Sequence, residues 1–223
     1  QAENGSFSET QTSMFTSYIT ALNNFQTAGG VIVFAAGNYT GESDVSVFAA
    51  LPELFPDLAE AYLAVGFIDT SGSSILSTSN VTQGGNKCGS AAQYCLVTDG
   101  TDLRGAQWVD SGTSYYKDGG SGSSYSAPMV TGAIALLNQA FPNHTAEAIV
   151  DRLLASANNS WFTPEGNTTF TTHGNSITHG YHSIWGHGIP DLYAALSPIT
   201  SNGNPASIAL YVGNNLNNTS ESS

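Results

Sequence analysis

The chain has 223 residues, with 17 Asp or Glu against 4 Lys or Arg, for a formal net charge of −13. That balance argues against nucleic acid and against an anionic membrane surface as partners. The length suits one domain with or without a tail, hydrophobic residues at 40% suffice for a core, and no apolar run approaches a membrane span of ~18 residues. Charged residues are only 9%, against roughly 25% in ordinary globular proteins, so Ser, Thr, Asn and Gly must supply the polar surface, as in many exported proteins. The start, Gln1-Ala2-Glu3-Asn4, lacks the basic and apolar regions of a signal peptide. We therefore expect a removed leader or an internal piece of a longer protein.

Residues 13–27 place Met14, Tyr18, Leu22 and Phe25 on one face of an amphipathic helix, which Gly29-Gly30 stops as an αL cap would. VIVFAAG (31–37) is a continuous apolar run that predicts a strand buried on both faces of a parallel sheet. Asn38 then stands at the carboxyl edge, where α/β sheets place their ligands. YLAVGFI (62–68) and CLVT (95–98) predict two more buried strands. Cys88 and Cys95 lie in NKCGSAAQYCL, a spacing unlike that of a metal site. A small disulfide loop in an exported protein is the better reading, with two free thiols the other.

Between 98 and 123 the sequence predicts loops and short strands, with Trp108 and Tyr115-Tyr116 as packing aromatics. Met129, Val130, Ala133, Ile134 and Leu137 mark a helix apolar on most sides, hence central, with Pro128 in its first turn. A further helix runs from Thr145, its N-cap, to Ala157, with Glu147 in the first turn. Residues 158–180 read as polar loop, 185–196 as a segment ending in a short helix, and 197–223 as a polar linker or tail.

The Gly-rich run 119–124 ahead of the central helix admits three meanings. A phosphate cradle would need a Walker Lys or GxGxxG spacing after a strand, and neither is present. A flexible connector would not normally feed straight into a buried helix. The third is a nucleophile: Ser124, just ahead of a helix N-terminus, would find unpaired N–H groups for a developing oxyanion.

Three segments, in order, resemble the subtilisin-like serine proteases, the subtilase family: VIVFAAGN (31–38), GSSYSAP (122–128) with the MVTGAIALL that follows, and GHGIPDLYAAL (186–196). LPELFPDLAEAYLAVGFID resembles the spacer that ends in the family's Ala/Val/Gly strand. SNVTQGGNKCGSAAQYCLVTDG resembles a Cys-containing variant seen in autotransporter proteases of Gram-negative bacteria. The resemblance covers residues 10–196. It implies an α/β fold, the C-terminal part of a three-layer architecture with a mainly parallel sheet between helices. Residues 1–196 would be the C-terminal half of the catalytic domain.

Carried over residue by residue, the resemblance makes Ser124 the nucleophile of an endopeptidase and Asn38 the side-chain donor of its oxyanion hole. Tyr39, Thr40, Gly41, Gly122 and Ser123 would line the substrate site. Ser123 departs from the family's Thr, and Thr98-Asp99-Gly100 from its Ala-Pro-Gly. A larger departure is the triad. Subtilases run Asp, His, Ser along the chain, yet here no Asp precedes Asp44 and no His precedes His144. The expectation is a secreted or cell-surface enzyme of two polypeptides. A precursor would be cut before Gln1, and an N-terminal fragment carrying Asp and His would stay docked against this chain. Protein or peptide would be the substrate. A non-catalytic subtilase-like binding or structural module is the alternative.

His173, His179, His182 and His187 fit no common zinc pattern and read as surface or loop-packing histidines rather than a relocated base, and Asp151 and Asp191 as helix-end caps or solvated charges. No cofactor is evident. Structural calcium is common in the family, but no Asp-rich loop of EF-hand spacing supports it here.

Overall fold

The helix expected over 13–27 runs from Glu9 to Thr27 (α1). It ends as the glycines require: Gly29 adopts φ +88°, and the Gly30 N–H donates to the Phe25 carbonyl at 2.9 Å. This computed structural model describes residues 9–73, 76–106 and 116–197, with the side chains of 9–15 left out. The side chain of Met14 is therefore not described, and Trp108, Tyr115 and the tail from 198 onward lie outside the described residues. Of the predicted face, Tyr18 and Phe25 are exposed, while Ile19 is buried and Leu22 packs on the core. The helix is thus turned from the expected orientation, and the Phe25 ring lies over Gly30, where a Cβ would collide with it.

Three parallel strands form the sheet: β1 (Ile32–Ala35), β2 (Tyr62–Asp69) and β4 (Cys95–Asp99). β2 is central, with Ile32 opposite Tyr62 on one side and Cys95 opposite Ala64 on the other. The two-residue β3 (Thr82–Gln83) pairs antiparallel with the end of β2. Tyr62 to Phe67 are all buried, the continuous apolar run of a strand covered on both faces. Alternate residues serve different layers. Tyr62, Ala64 and Ile68 pack with Ile19 and with Leu51 of α2 (Leu51–Leu54). Leu63 and Val65 pack with Val130, Ile134 and Leu137 of α3 (Ser123–Ala140) and with Ile149 and Leu153 of α4 (Ala146–Ala155). That is an α/β fold with a mainly parallel sheet between helices, as expected.

β1 departs from expectation: only Ile32 of its four residues is buried. Its reason is topological, because β1 is an edge strand with no described strand on its far side. β4 differs here. Its outer edge is occupied by the chain at 187–188, through the His187 N–H to the Cys95 carbonyl (2.9 Å) and the Val97 N–H to the Gly188 carbonyl (3.0 Å).

Four other expectations are corrected. α3 begins at Ser123, so Pro128 is its sixth residue and not in the first turn; its missing N–H leaves the Ser124 carbonyl without an intrahelical donor. α3 also buries one face only, leaving Met129 and Leu136 exposed on the other. Residues 158–180 hold an antiparallel hairpin, β7 (Gly166–Phe170) with β8 (Ile177–Tyr181). Asn167, Thr169 and Thr178 face outward while Phe170 and Ile177 anchor it in the core. Tyr116, at the start of β6 (Tyr116–Gly120), is exposed, lying under the Arg104 guanidinium of β5 (Leu103–Ala106). Thr145 caps α4 by accepting from the Ala148 N–H at 3.1 Å, and Asp191 caps α5 (Leu192–Leu196) in the same way.

Candidate active site

β1 and α3 bring together residues 85 positions apart. Asn38 leaves the carboxyl end of β1, and its Oδ1 accepts from the Ser123 N–H at 2.8 Å and from Ser123 Oγ at 2.7 Å. Ser123 Oγ in turn accepts from the Gly37 N–H at 3.2 Å. A backbone N–H can only donate, so the bond from Ser123 N fixes which end of the Asn38 amide is oxygen. Nδ2 therefore points away from Ser123, and no partner takes it among the described residues.

The first turn of α3 supplies a second donor. Gly122, at φ +145°, is the N-cap. Of the N–H groups that follow, Ser123's goes to Asn38, while Tyr125's and Ser126's go to the Gly122 carbonyl. Ser124's has no acceptor among the described residues. It is the orphan amide that every helix N-terminus leaves. The side chain of Ser124 is exposed, whereas Ser123 is 1% exposed. A Cβ on Gly122 would stand 3.1 Å from both Nδ2 and Oδ1 of Asn38, so only glycine lets strand end and helix start approach this closely. An exposed hydroxyl beside two unpaired N–H donors is the arrangement that can attack a carbonyl and hold the resulting oxyanion.

Other predicted residues are placed as follows. Tyr39, Thr40 and Gly41 continue from Asn38 along the surface, Tyr39 at 76% exposure and Gly41 at φ +100°. Ser123, expected to line the substrate site, instead spends its hydroxyl on Asn38 and Gly37. Cys88 and Cys95 are joined as a disulfide. Gly100, which stands where the family has the last residue of Ala-Pro-Gly, accepts from the Gly122 N–H at 2.9 Å, and a Cβ on it would strike Ser126 Oγ at 2.6 Å.

The four late histidines are elsewhere. His179 Nδ1 and His187 Nδ1 lie 2.8 Å apart, with His179 Nε2 on the Ala157 carbonyl and His187 Nε2 on the Gln93 carbonyl, each at 3.0 Å. His187 is fully buried, and burial pushes it down to about 3 and pushes His179 in the same direction. His182 is tied to Glu165 at 3.4 Å, and burial pushes His173 down to about 4. Among the described residues no hydrogen bond links a histidine to Ser124. These are packing histidines, two of them far more buried than the sequence suggested. Asp151 is likewise no helix-end charge: it sits within α4, accepts from Thr172 Oγ1 at 2.8 Å, and is raised by burial to about 6.

Sequence reasoning missed Asn86, which is 8% exposed and holds the chain on either side of Asn38: its Oδ1 accepts from the Tyr39 N–H (3.0 Å) and its own N–H donates to the Gly37 carbonyl (3.2 Å). The signal available was the turn-like Gly84-Gly85-Asn86 run ahead of Cys88, within the segment that resembles the family's Cys-containing variant.

Comparison with known proteins agrees with this architecture. The subtilase family model matches residues 3–188. The chain is 34% identical over 139 residues to an extracellular serine protease of Serratia marcescens, a match that covers 54% of this chain and 12% of that protein. It is 29% identical over 140 residues to serotype-specific antigen 1 of Mannheimia haemolytica, covering 61% and 14%. The matched part thus spans only 12–14% of the length of these curated relatives. Among solved structures, the prenylagaramide maturation protease PagA superposes with a TM-score of 0.57 at 21% identity, over 87% of this chain and 57% of that one. Fervidolysin of Fervidobacterium pennivorans superposes with a TM-score of 0.56 at 23% identity, over 82% and 25%. With the family model covering most of its length, the chain belongs to the subtilase family.

Proposed function

We propose that this chain is the nucleophile-bearing part of a subtilisin-like serine endopeptidase. The observation that carries the reading is the pair of unpaired donors, Asn38 Nδ2 and Ser124 N–H, beside the exposed Ser124 hydroxyl. Ser124 Oγ attacks the scissile carbonyl carbon, and its proton passes to an imidazole. The carbonyl oxygen becomes an oxyanion held by the two N–H groups. Collapse breaks the C–N bond, the amine leaves with that proton, and water hydrolyses the ester on Ser124.

The imidazole and its orienting Asp come from a polypeptide segment that this chain does not contain, in keeping with the family order and with the contacts that tie His179, His182 and His187 to other groups. That segment docks along the free edge of β1. Alternate residues of an edge strand point their N–H and C=O groups outward, and Tyr18, Phe34 and Phe48 form an aromatic row beside it, with ring centroids 5.9 and 6.0 Å apart. A non-catalytic module would leave this edge and the exposed Met129 and Leu136 without a purpose. Export to the cell surface is supported by the disulfide and by the relative named as extracellular, and the reading extends to an autotransporter whose precursor is processed.

The test is covalent labelling. The protein isolated under native conditions from its host is treated with a fluorophosphonate, and the modified residue is located by mass spectrometry. Label on Ser124, lost in Ser124→Ala and kept in Ser123→Ala, is expected, together with a co-purifying polypeptide containing Asp and His motifs. Label on Ser123, or none in an active preparation, overturns the assignment.

A further inference from the structure

We infer that Asn86 is a positioning residue for the oxyanion donor Asn38, an inference that rests on the active-site reading above. Ser123 orients the Asn38 side chain, but the two peptide units that flank Asn38 are held from the opposite side. Gly37 gives its carbonyl to the Asn86 N–H at 3.2 Å, and Tyr39 gives its N–H to Asn86 Oδ1 at 3.0 Å. The remaining group, Asn86 Nδ2, donates to the Asp44 carbonyl at 2.8 Å. The side-chain amide of Asn86 therefore joins residues 39 and 44, its backbone N–H adds residue 37, and together they close the segment that contains Asn38 and the proposed substrate wall Tyr39–Gly41.

Close packing removes the slack. A Cβ on Gly37 would collide with the Asn86 side chain, and one on Gly85 would collide with the Gly37 carbonyl and come within 3.0 Å of the Asn38 Cα. Gly37 is also at φ +124°, where a side chain would be strained. The platform beneath is tied down in turn. Lys87 N–H donates to the Glu42 carbonyl at 3.2 Å, Ser90 N–H and Oγ both donate to Asp44 Oδ1 at 2.9 Å, and Cys88 is bridged to Cys95 at the start of β4. Asn86 thus transfers the rigidity of the disulfide-closed segment to the donor that meets the oxyanion.

Such a residue acts on the transition state without touching the substrate. An oxyanion donor works at about 2.7–3.1 Å, and a displacement on the order of 1 Å can cost ~10²-fold in rate. Asn86→Ala in the full-length, assembled enzyme should lower kcat by about 10- to 100-fold on a short peptide substrate, with KM changed less than about threefold. kcat is taken per active site titrated with fluorophosphonate, so loss of folded protein does not enter. The decisive arm is a double-mutant cycle: with Asn38 already replaced by Ala, Asn86→Ala should cost less than about threefold more, because both act through one donor. Asn86→Asp is nearly isosteric and keeps the acceptor for Tyr39 while losing the donor to Asp44. It supplies a folded variant if the alanine does not fold, and it too should lower kcat with KM unchanged. Unchanged kcat in both Asn86 variants, or losses that multiply in the double variant, overturns the role of Asn86. If instead Ser124 takes no label and Asn38→Ala leaves kcat unchanged in the otherwise wild-type enzyme, the active-site reading itself falls.

Discussion

Ser123→Ala separates the proposed nucleophile, Ser124, from its neighbour and tests how the Asn38 amide is held. The substitution removes one donor to Asn38 Oδ1 (2.7 Å) and the acceptor of the Gly37 N–H (3.2 Å), but leaves the Ser123 backbone N–H on Oδ1 at 2.8 Å. One lost neutral hydrogen bond is worth about 0.5–1.5 kcal/mol, and a buried donor left unpaired costs about 1–3 kcal/mol. Stability should therefore fall by about 1–3 kcal/mol, mostly through Gly37. Catalysis should suffer less, because Nδ2 keeps its direction. At most about 1.4 kcal/mol of transition-state stabilisation is at risk, or roughly tenfold in kcat. Asn38→Ala should cost ~10²–10³, the magnitude known for the corresponding asparagine of a subtilisin. Ser123→Thr, which restores the hydroxyl and the family's residue, should recover activity. Steady-state kinetics on a peptide substrate, normalised to fluorophosphonate-titrated sites, make the comparison. Loss of labelling in Ser123→Ala together with labelling kept in Ser124→Ala would make Ser123 the nucleophile. A rise in KM at constant kcat would place its side chain in substrate binding and refute the orientation argument.

Reduction of the Cys88–Cys95 bridge, or its removal in the double variant C88S/C95S, should destabilise the assembly by about 2–3 kcal/mol for so short a loop; equal denaturation midpoints with and without reductant would contradict this. Acid should destabilise it through His187, which burial holds near 3 against an unfolded value near 6.5. Below pH 6.5 the unfolded chain binds the proton and the folded chain does not, so stability present above 6.5 is lost as pH falls, by about 1.4 kcal/mol per unit. Asp151, raised to about 6, works in the opposite sense, since its folded form takes the proton first. His187→Gln should accordingly flatten the loss between about pH 6.5 and 5 relative to wild type, and parallel pH profiles in denaturant titrations would refute it. The chain without its partner segment should bind an apolar dye and self-associate, because Phe25, Phe48, Met129 and Leu136 are 42–52% exposed, and each forgoes about half of the ~1.5–3 kcal/mol that full burial of such a side chain gives. A cooperative melt with full peptidase activity from residues 1–223 alone would overturn the two-polypeptide proposal.

Much of the fold is legible in the sequence because its signals are local. A continuous apolar run marks β2, and Thr145 and Asp191 announce their helices three residues ahead of the N–H they cap. The departures share one cause: burial depends on neighbours that periodicity does not see. VIVFAAG has the composition of a central strand, yet β1 stands at an edge and is half-buried. The hairpin of β7 and β8 reads as loop because Asn167, Thr169 and Thr178 give it a polar face. Only the pairing of Phe170 opposite Ile177 reveals its apolar one. α3 has the many apolar residues of a central helix, and in the described residues its outer face, with Met129 and Leu136, meets solvent.

The site divides along the same line. Ser124 and Asn38, the proposed nucleophile and oxyanion donor, are legible as candidates in the sequence because each belongs to a short motif on one element, a helix start and a strand end. What orients them is not, because the partners are remote: 85 residues separate Asn38 from Ser123, and 47 separate Tyr39 from Asn86. One trace of those contacts does survive in the sequence. Where two backbones must nearly touch, a side chain has no room, and Gly37, Gly85, Gly100 and Gly122 all stand where a Cβ would meet a neighbouring backbone or side chain. A Cβ on Gly85 would strike the Gly37 carbonyl beside Asn38, and one on Gly100 would come within 3.1 Å of the Gly122 carbonyl at the start of α3. The glycines of this site thus record a geometric requirement: two N–H donors from separate elements must be held close enough to share one oxygen, and each element must approach the other without a side chain between them.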